Sequence, residues 1–310
     1  MTHLIRLLTT VLLLVLTASV RAEIQPDFLM NSDPRIEAPA PIKNFGKKLA
    51  PLWMLALSRP EQDLQRKAAE SIAHAHRAGM PGLIDAVPRL KVVLLAESSL
   101  PAVRYSAAEA LIALDARDAA PELCDASQRF GADIRQLIEP ALAAWEHAPM
   151  RAIWLARLAD RKTRHRDLVL AMHGVGRVHE VVALQHLLEI VRDSARLPDL
   201  RIEAATAAGL LADEDLESDA ARLFGNQRPS SIVSRVCSVR LLARHASPAA
   251  RTQLLVAAAD ADPAVAAAAM RRLFEIDPDV LLPLAESATQ NADAAVRQAG
   301  ANAFVSRPTP

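Results

Sequence analysis

Four histidines, His165, His173, His179 and His186, crowd one short stretch of this 310-residue chain. Clustered imidazoles raise the question of a metal centre. His179 and His186 would share a helical face, but seven helical residues rise about 10.5 Å. Zinc ligands converge to about 2 Å from one ion, so that pair cannot share a metal. His173 and His179 across a turn, with Glu180, form the one combination that could converge. Solvated or hydrogen-bonded histidines are the simpler reading. His74 and His76, two residues apart, point to different faces. The expectation is no metal site and no cofactor.

Other chemistry is equally hard to find. There is no Gly-x-Ser-x-Gly elbow, no phosphate loop and no dinucleotide glycine motif. Gly174-Val175-Gly176 is too short for the last of these and is read as a turn after a helix. Cys124 and Cys237 fall three structural repeats apart, on the order of 30 Å at helix-packing distances of about 10 Å. A disulfide needs Cα atoms within about 7 Å. Two free, buried thiols are expected. No Cys-x-x-Cys-His is present to carry a c-type haem. No catalytic residue is assigned, and the chain is expected not to be an enzyme.

The elements that carry these residues repeat. Pro101-Ala102-Val103-Arg104-Tyr105-Ser106-Ala107-Ala108-Glu109-Ala110-Leu111 reads as an amphipathic helix, with Val103, Ala107, Ala110 and Leu111 on one face. Copies of it start at Leu64, Val103, Ile134, Arg164, Leu200, Ile232, Val265 and Val296, with 30 to 39 residues between starts. Such a period means stacked supersecondary units. A second helix precedes each copy, for example over Pro81–Glu97, Met150–Ala159 and Pro278–Thr289. Leu49, Leu52, Trp53 and Leu55 would cover the first open end. The composition agrees with an all-α chain: 51% apolar residues and only 3% aromatic.

The fourth and seventh residues of each copy would line one continuous surface strip, of the kind that solenoids offer to partners. Tyr105 is the only tyrosine and stands beside it. Tyrosine and arginine anchor interfaces. Tyr105, Glu109, Glu203, Arg235 and Arg271 are therefore the candidate protein-binding residues.

Residues 1–22 read as a secretory signal, with Arg6 before the short apolar run Leu7–Leu16 and Val20-Arg21-Ala22 at the cleavage position. The run falls short of the roughly 20 apolar residues of a membrane span, and an uncleaved anchor is the alternative. Residues 23–42 hold Pro26, Pro34, Pro39 and Pro41 and read as an extended linker. The solenoid would occupy 43–305, followed by a tail at 306–310. The chain balances 36 basic against 36 acidic residues, which speaks against nucleic acid and anionic lipid as partners. The alanine-rich last helix, ending in Phe304 and Val305, has no polar closing helix after it. Self-association through that end is one reading, a longer parent chain is another, and an alanine face small enough to be tolerated is the third.

A period of this length with Pro-x-Val-Arg before paired alanines and leucines resembles the HEAT repeat, in the short bacterial form of the phycobilin lyase subunits. Pro101-Ala102-Val103-Arg104, Pro198-Asp199-Leu200-Arg201, Asp262-Pro263-Ala264-Val265 and Asp293-Ala294-Ala295-Val296-Arg297 carry the likeness, which covers about residues 49–305. It implies an armadillo-like α-α superhelix of about eight two-helix repeats. It also implies that Arg104, Arg135, Arg201 and Arg297 bond into the next repeat. The ladder would fail at Gln65, His165, Val233 and Ala266. The functional reading is an exported, periplasmic or secreted, non-catalytic scaffold or assembly factor with a protein partner. The alternatives are a lyase or chromophore-handling subunit, and an accessory region of a larger secreted redox enzyme.

Overall fold

The computed structural model describes residues 46, 48–225 and 230–305. The signal, linker and C-terminal tail readings, at 1–22, 23–42 and 306–310, lie outside the described residues. The chain divides into Met1–Lys43 and Asn44–Pro310, and every described helix belongs to the second unit.

That unit is a run of sixteen α-helices among the described residues, taken as eight pairs. The first helices of the pairs are α1 (Leu49–Leu57), α3 (Val87–Leu95), α5 (Ala120–Arg129), α7 (Pro149–Ala159), α9 (Leu184–Arg192), α11 (Glu217–Phe224), α13 (Pro248–Ala258) and α15 (Pro278–Thr289). The second helices are α2 (Gln62–Arg77), α4 (Pro101–Ala113), α6 (Ala132–Ala144), α8 (His165–Arg177), α10 (Pro198–Leu211), α12 (Ile232–Leu241), α14 (Pro263–Ile276) and α16 (Ala294–Val305). Each expected copy begins within two residues of one of these second helices. The two members of every pair pack on each other, and each second helix packs on the next from α2 to α16. First helices meet less, most clearly α1 with α3, α3 with α5, α7 with α9 and α11 with α13. Two layers of helices whose core is completed only by neighbouring pairs make a HEAT-like α-solenoid.

Local chemistry sets the helix ends. Pro101, Pro149, Pro198, Pro248, Pro263 and Pro278 open their helices, where the missing N–H costs nothing. Ser231, Ser247, Asp262 and Asp277 accept a backbone N–H from the first turn. The first four second helices share one ending. Gly79, Asp115, Glu146 and His179 each sit at positive φ, and the next residue donates back across six residues. Those bonds are Met80 to Ala75, Ala116 to Leu111, His147 to Leu142 and Glu180 to Val175, at 2.9 to 3.0 Å. This is the Schellman ending, with a left-handed residue closing the last carbonyls.

The structure corrects three readings. Gly174 and Gly176 are not a turn: both are buried inside α8. A Cβ on Gly174 would sit 2.4 Å from the Trp154 ring of α7, so the glycine lets that indole in. The arginine ladder is different in kind. Arg104 donates to the Ala96 and Glu97 carbonyls at the end of the first helix in its own repeat. Arg135 and Arg201 bond backward in the same way, to Ser127 and Val191, and also reach forward to Asp167 and Ser234. Arg297 turns back to Asn291 and Ala292. Gln65, expected to fail, donates to Arg59 at 2.7 Å and fills the same role. Finally, α1 covers the end of the stack only in part: Leu57 is buried, whereas Leu52 and Leu55 remain exposed.

Candidate partner-binding groove

The strip expected along the second helices exists as a layer, but most of it is paired off internally. Glu109 on α4 takes the Arg77 guanidinium of α2 at 2.8 Å. Glu203 on α10 faces His173 of α8 at 2.9 Å, and Asp199 faces His165 at 2.5 Å. Arg135 on α6 reaches Asp167 of α8 at 2.6 Å. Arg235 on α12 is largely buried against Asp260, which follows α13, at 2.8 Å. These contacts join consecutive repeats edge to edge.

Of the five candidate residues, Glu109, Glu203 and Arg235 are therefore rungs between repeats. Arg271 is exposed on α14 and is bound in no ion pair among the described residues. Tyr105 is 41% exposed on α4. The five lie on α4, α10, α12 and α14, and helices of one layer contact only their neighbours, so no single site gathers them.

Tyr105 does stand in a site. A groove of about 1170 Å³ runs over α2, α4, the turn at Phe130–Gly131, and α6. Its apolar lining comes from Pro101, Tyr105, Phe130, Ile134, Leu137 and Pro140, and its polar lining includes Arg66, Glu70, Arg104, Asp133 and Gln136. Ser106, Leu137, Glu70 and Pro140 are four of the six strip residues of the first three repeats, and Lys67 and Glu109 lie outside the groove lining. Arg66 is already held by Glu70 at 2.6 Å. Arg104 is 8% exposed, with its guanidinium 3.9 Å above the Phe130 ring.

Sequence reasoning missed a second polar node. Glu139 is 1% exposed and accepts both Arg157 terminal nitrogens at 2.8 Å and the Trp154 indole N–H at 3.0 Å. It joins α6 to α7. The signal was available, because the other seven copies carry Ala69, Ala108, Val169, Ala205, Cys237, Met270 and Ala301 at this register. A lone carboxylate in an otherwise apolar row announces a buried partner. Glu139 also edges a smaller cleft of about 490 Å³ with Leu170, His173, Arg177 and Leu210.

The histidines of the crowded stretch are occupied separately. His165 and His173 face carboxylates of the next repeat, His179 occupies a Schellman turn, and His186 is half-buried on α9. Cys124 is half-buried rather than buried, with its sulfur 3.5 Å from Met150, whereas Cys237 is buried as expected. Burial pushes the Cys124 thiol up, helped by Glu139, and pushes the Cys237 thiol up to about 11. Neither is a ready nucleophile.

No protein-family model and no curated protein matches the sequence. Among solved structures, the chain is similar to one titled as the complex of CpcE and CpcF of phycocyanin lyase from Nostoc sp. PCC7120. The identity is 17%, the TM-score is 0.43, and the match covers 87% of this chain and 98% of that one. The likeness is one of fold. The expectation that the chain is not an enzyme is not upheld, since that structure is titled a lyase.

Proposed function

We propose that this chain is an exported protein-binding solenoid, a scaffold or assembly factor of the cell envelope, that seats its partner in the groove around Tyr105. One observation carries the reading. Carboxylates and cations tie much of the second-helix layer from repeat to repeat, whereas the groove over α2, α4 and α6 leaves apolar surface and an aromatic side chain facing solvent. Exposed tyrosine flanked by aliphatic and proline side chains suits an interface core. Export rests on the N-terminal residues Arg6 and Leu7–Leu16, and a protein partner is consistent with the even charge balance. No described helix is long and apolar enough to cross a membrane. Self-association through the last pair is a lesser route, since α16 leaves Phe304 exposed while burying Val296, Ala299 and Ala303.

Site-directed photocross-linking in the native envelope tests this. A benzoyl-phenylalanine at position 105 is expected to capture a discrete protein, and one at Val92, 70% exposed on the first-helix layer, to capture none. Equal capture at both positions, or none at 105, overturns the assignment.

A further inference from the structure

The arginine that opens a second helix bonds forward to a polar side chain in two of the repeats, whereas at the groove Arg104 meets the Phe130 ring of the next repeat and no carboxylate among the described residues. Arg135 finds Asp167, the fourth residue of the next copy, and Arg201 finds Ser234. Arg104 faces a copy that carries Gln136 and Leu137 at those two positions. It forms no ion pair among the described residues, and its Nε has no hydrogen-bond partner. Its bonds run from Nη2 to two backbone carbonyls. A buried guanidinium without a carboxylate is an incomplete arrangement.

A second open valence lies on the same groove. Pro140 stands inside α6 and has no N–H, so the Gln136 carbonyl four residues earlier lacks its helical donor. Gln136 and Pro140 both line the groove. The groove thus presents a guanidinium with no carboxylate partner among the described residues, a helical carbonyl deprived of its donor four residues on, and the Tyr105 ring. Its volume exceeds the roughly 300–1,000 Å³ of small-molecule clefts.

We infer that the groove binds an extended acidic peptide segment of the partner. An Asp or Glu of that segment supplies the missing rung to Arg104, a peptide N–H donates to the Gln136 carbonyl, and an apolar neighbour packs on Tyr105 and Leu137. Main-chain bonding with alternate side chains in pockets is an ordinary mode of peptide capture. The inference rests on the protein-binding reading and adds the chemistry of the bound segment.

The test selects random dodecapeptides displayed on phage against the immobilised full chain, and then measures the enriched peptides by fluorescence anisotropy. Enriched sequences are expected to carry Asp or Glu beside apolar residues, and to weaken about ten-fold when that acid is replaced by its amide. Two variants separate binding from folding. Leu137→Asp puts a carboxylate in the register of Asp167 and is expected to fill the rung and displace acidic peptides. Pro140→Ala restores the helical bond to Gln136, strengthens α6, and is expected to weaken the peptides about five-fold. Enriched peptides without acids, or acidic peptides indifferent to Leu137→Asp, overturn the inference while leaving the protein-binding reading intact. An absence of enriched peptides also overturns it, and the cross-link at position 105 then decides separately whether a folded partner surface uses the groove.

Discussion

Glu139 is the residue whose removal this protein should tolerate least. Its carboxylate is the sole anion paired with Arg157 among the described residues and also holds the Trp154 indole. Glu139→Ala leaves a cation that is 12% exposed and an indole N–H with no acceptor. The expected loss is ~3–5 kcal/mol in urea unfolding. Replacing both Glu139 and Arg157 by Met should recover most of it, because the desolvation cost disappears with the pair. A loss under ~1 kcal/mol for the single variant would mean that water reaches the site. Cys237 gives a pH prediction. Its folded pKa of about 11 lies above the ordinary 9.0, so its contribution to stability is intact below pH 9 and is lost as pH rises towards 11. Alkylation of native protein at pH 9 should stay slow, and Cys237→Ala should flatten the alkaline fall in melting temperature.

Glycines decide how closely helices pass. Gly174→Ala drives a methyl into the Trp154 ring at 2.4 Å. A stability loss of ~1–3 kcal/mol is expected, from overpacking a site that cannot give. Two residues on, a Cβ at Gly176 meets Ala207 at an ordinary 3.6 Å. Gly176→Ala should therefore stabilise α8, by up to ~1 kcal/mol from helix propensity. Opposite signs at neighbouring positions, read by chemical denaturation, are the check. This contrast was not legible in the sequence, where both glycines sat in a plausible turn. The helices themselves were legible, because an apolar helical face recurs at eight starts, with an opening Pro at Pro101, Pro198 and Pro263 and paired alanines in most copies. Glu109, Glu203 and Arg235 lie on second helices as expected, but their ion pairs across repeat junctions were not foreseen. Their partners Arg77, His173 and Asp260 come from neighbouring repeats or loops, and single-helix periodicity carries no information about those. Tyr105 was singled out as the only tyrosine, beside the strip, and it lines the groove over α2, α4 and α6.

Across the whole array, stability is passed from neighbour to neighbour. No pair closes its own core, so the weakest junction sets where cooperativity breaks. Among the described glycines, Gly209 marks the junction where two backbones approach most closely. A Cβ there would meet the Arg240 carbonyl at 2.2 Å, backbone against backbone between α10 and α12. Gly209→Ala should split one unfolding transition into two. Hydrogen exchange would report it: amides of α12 and α14 lose protection at lower denaturant than those of α4 and α6, which coincide in the parent. Simultaneous loss in the variant would mean that the array holds as one unit despite the strain.

The two layers also differ in how they would respond to force. Second helices touch without interruption from α2 to α16, while first helices meet only in places. Bending that closes the gaps between first helices deforms little, whereas bending that compresses the second helices works against packed side chains. The helical unit is thus expected to act as a leaf spring, compliant in one sense and stiff in the other. A partner seated across α2, α4 and α6 would clamp the stiff side and fix the curvature of the first three pairs.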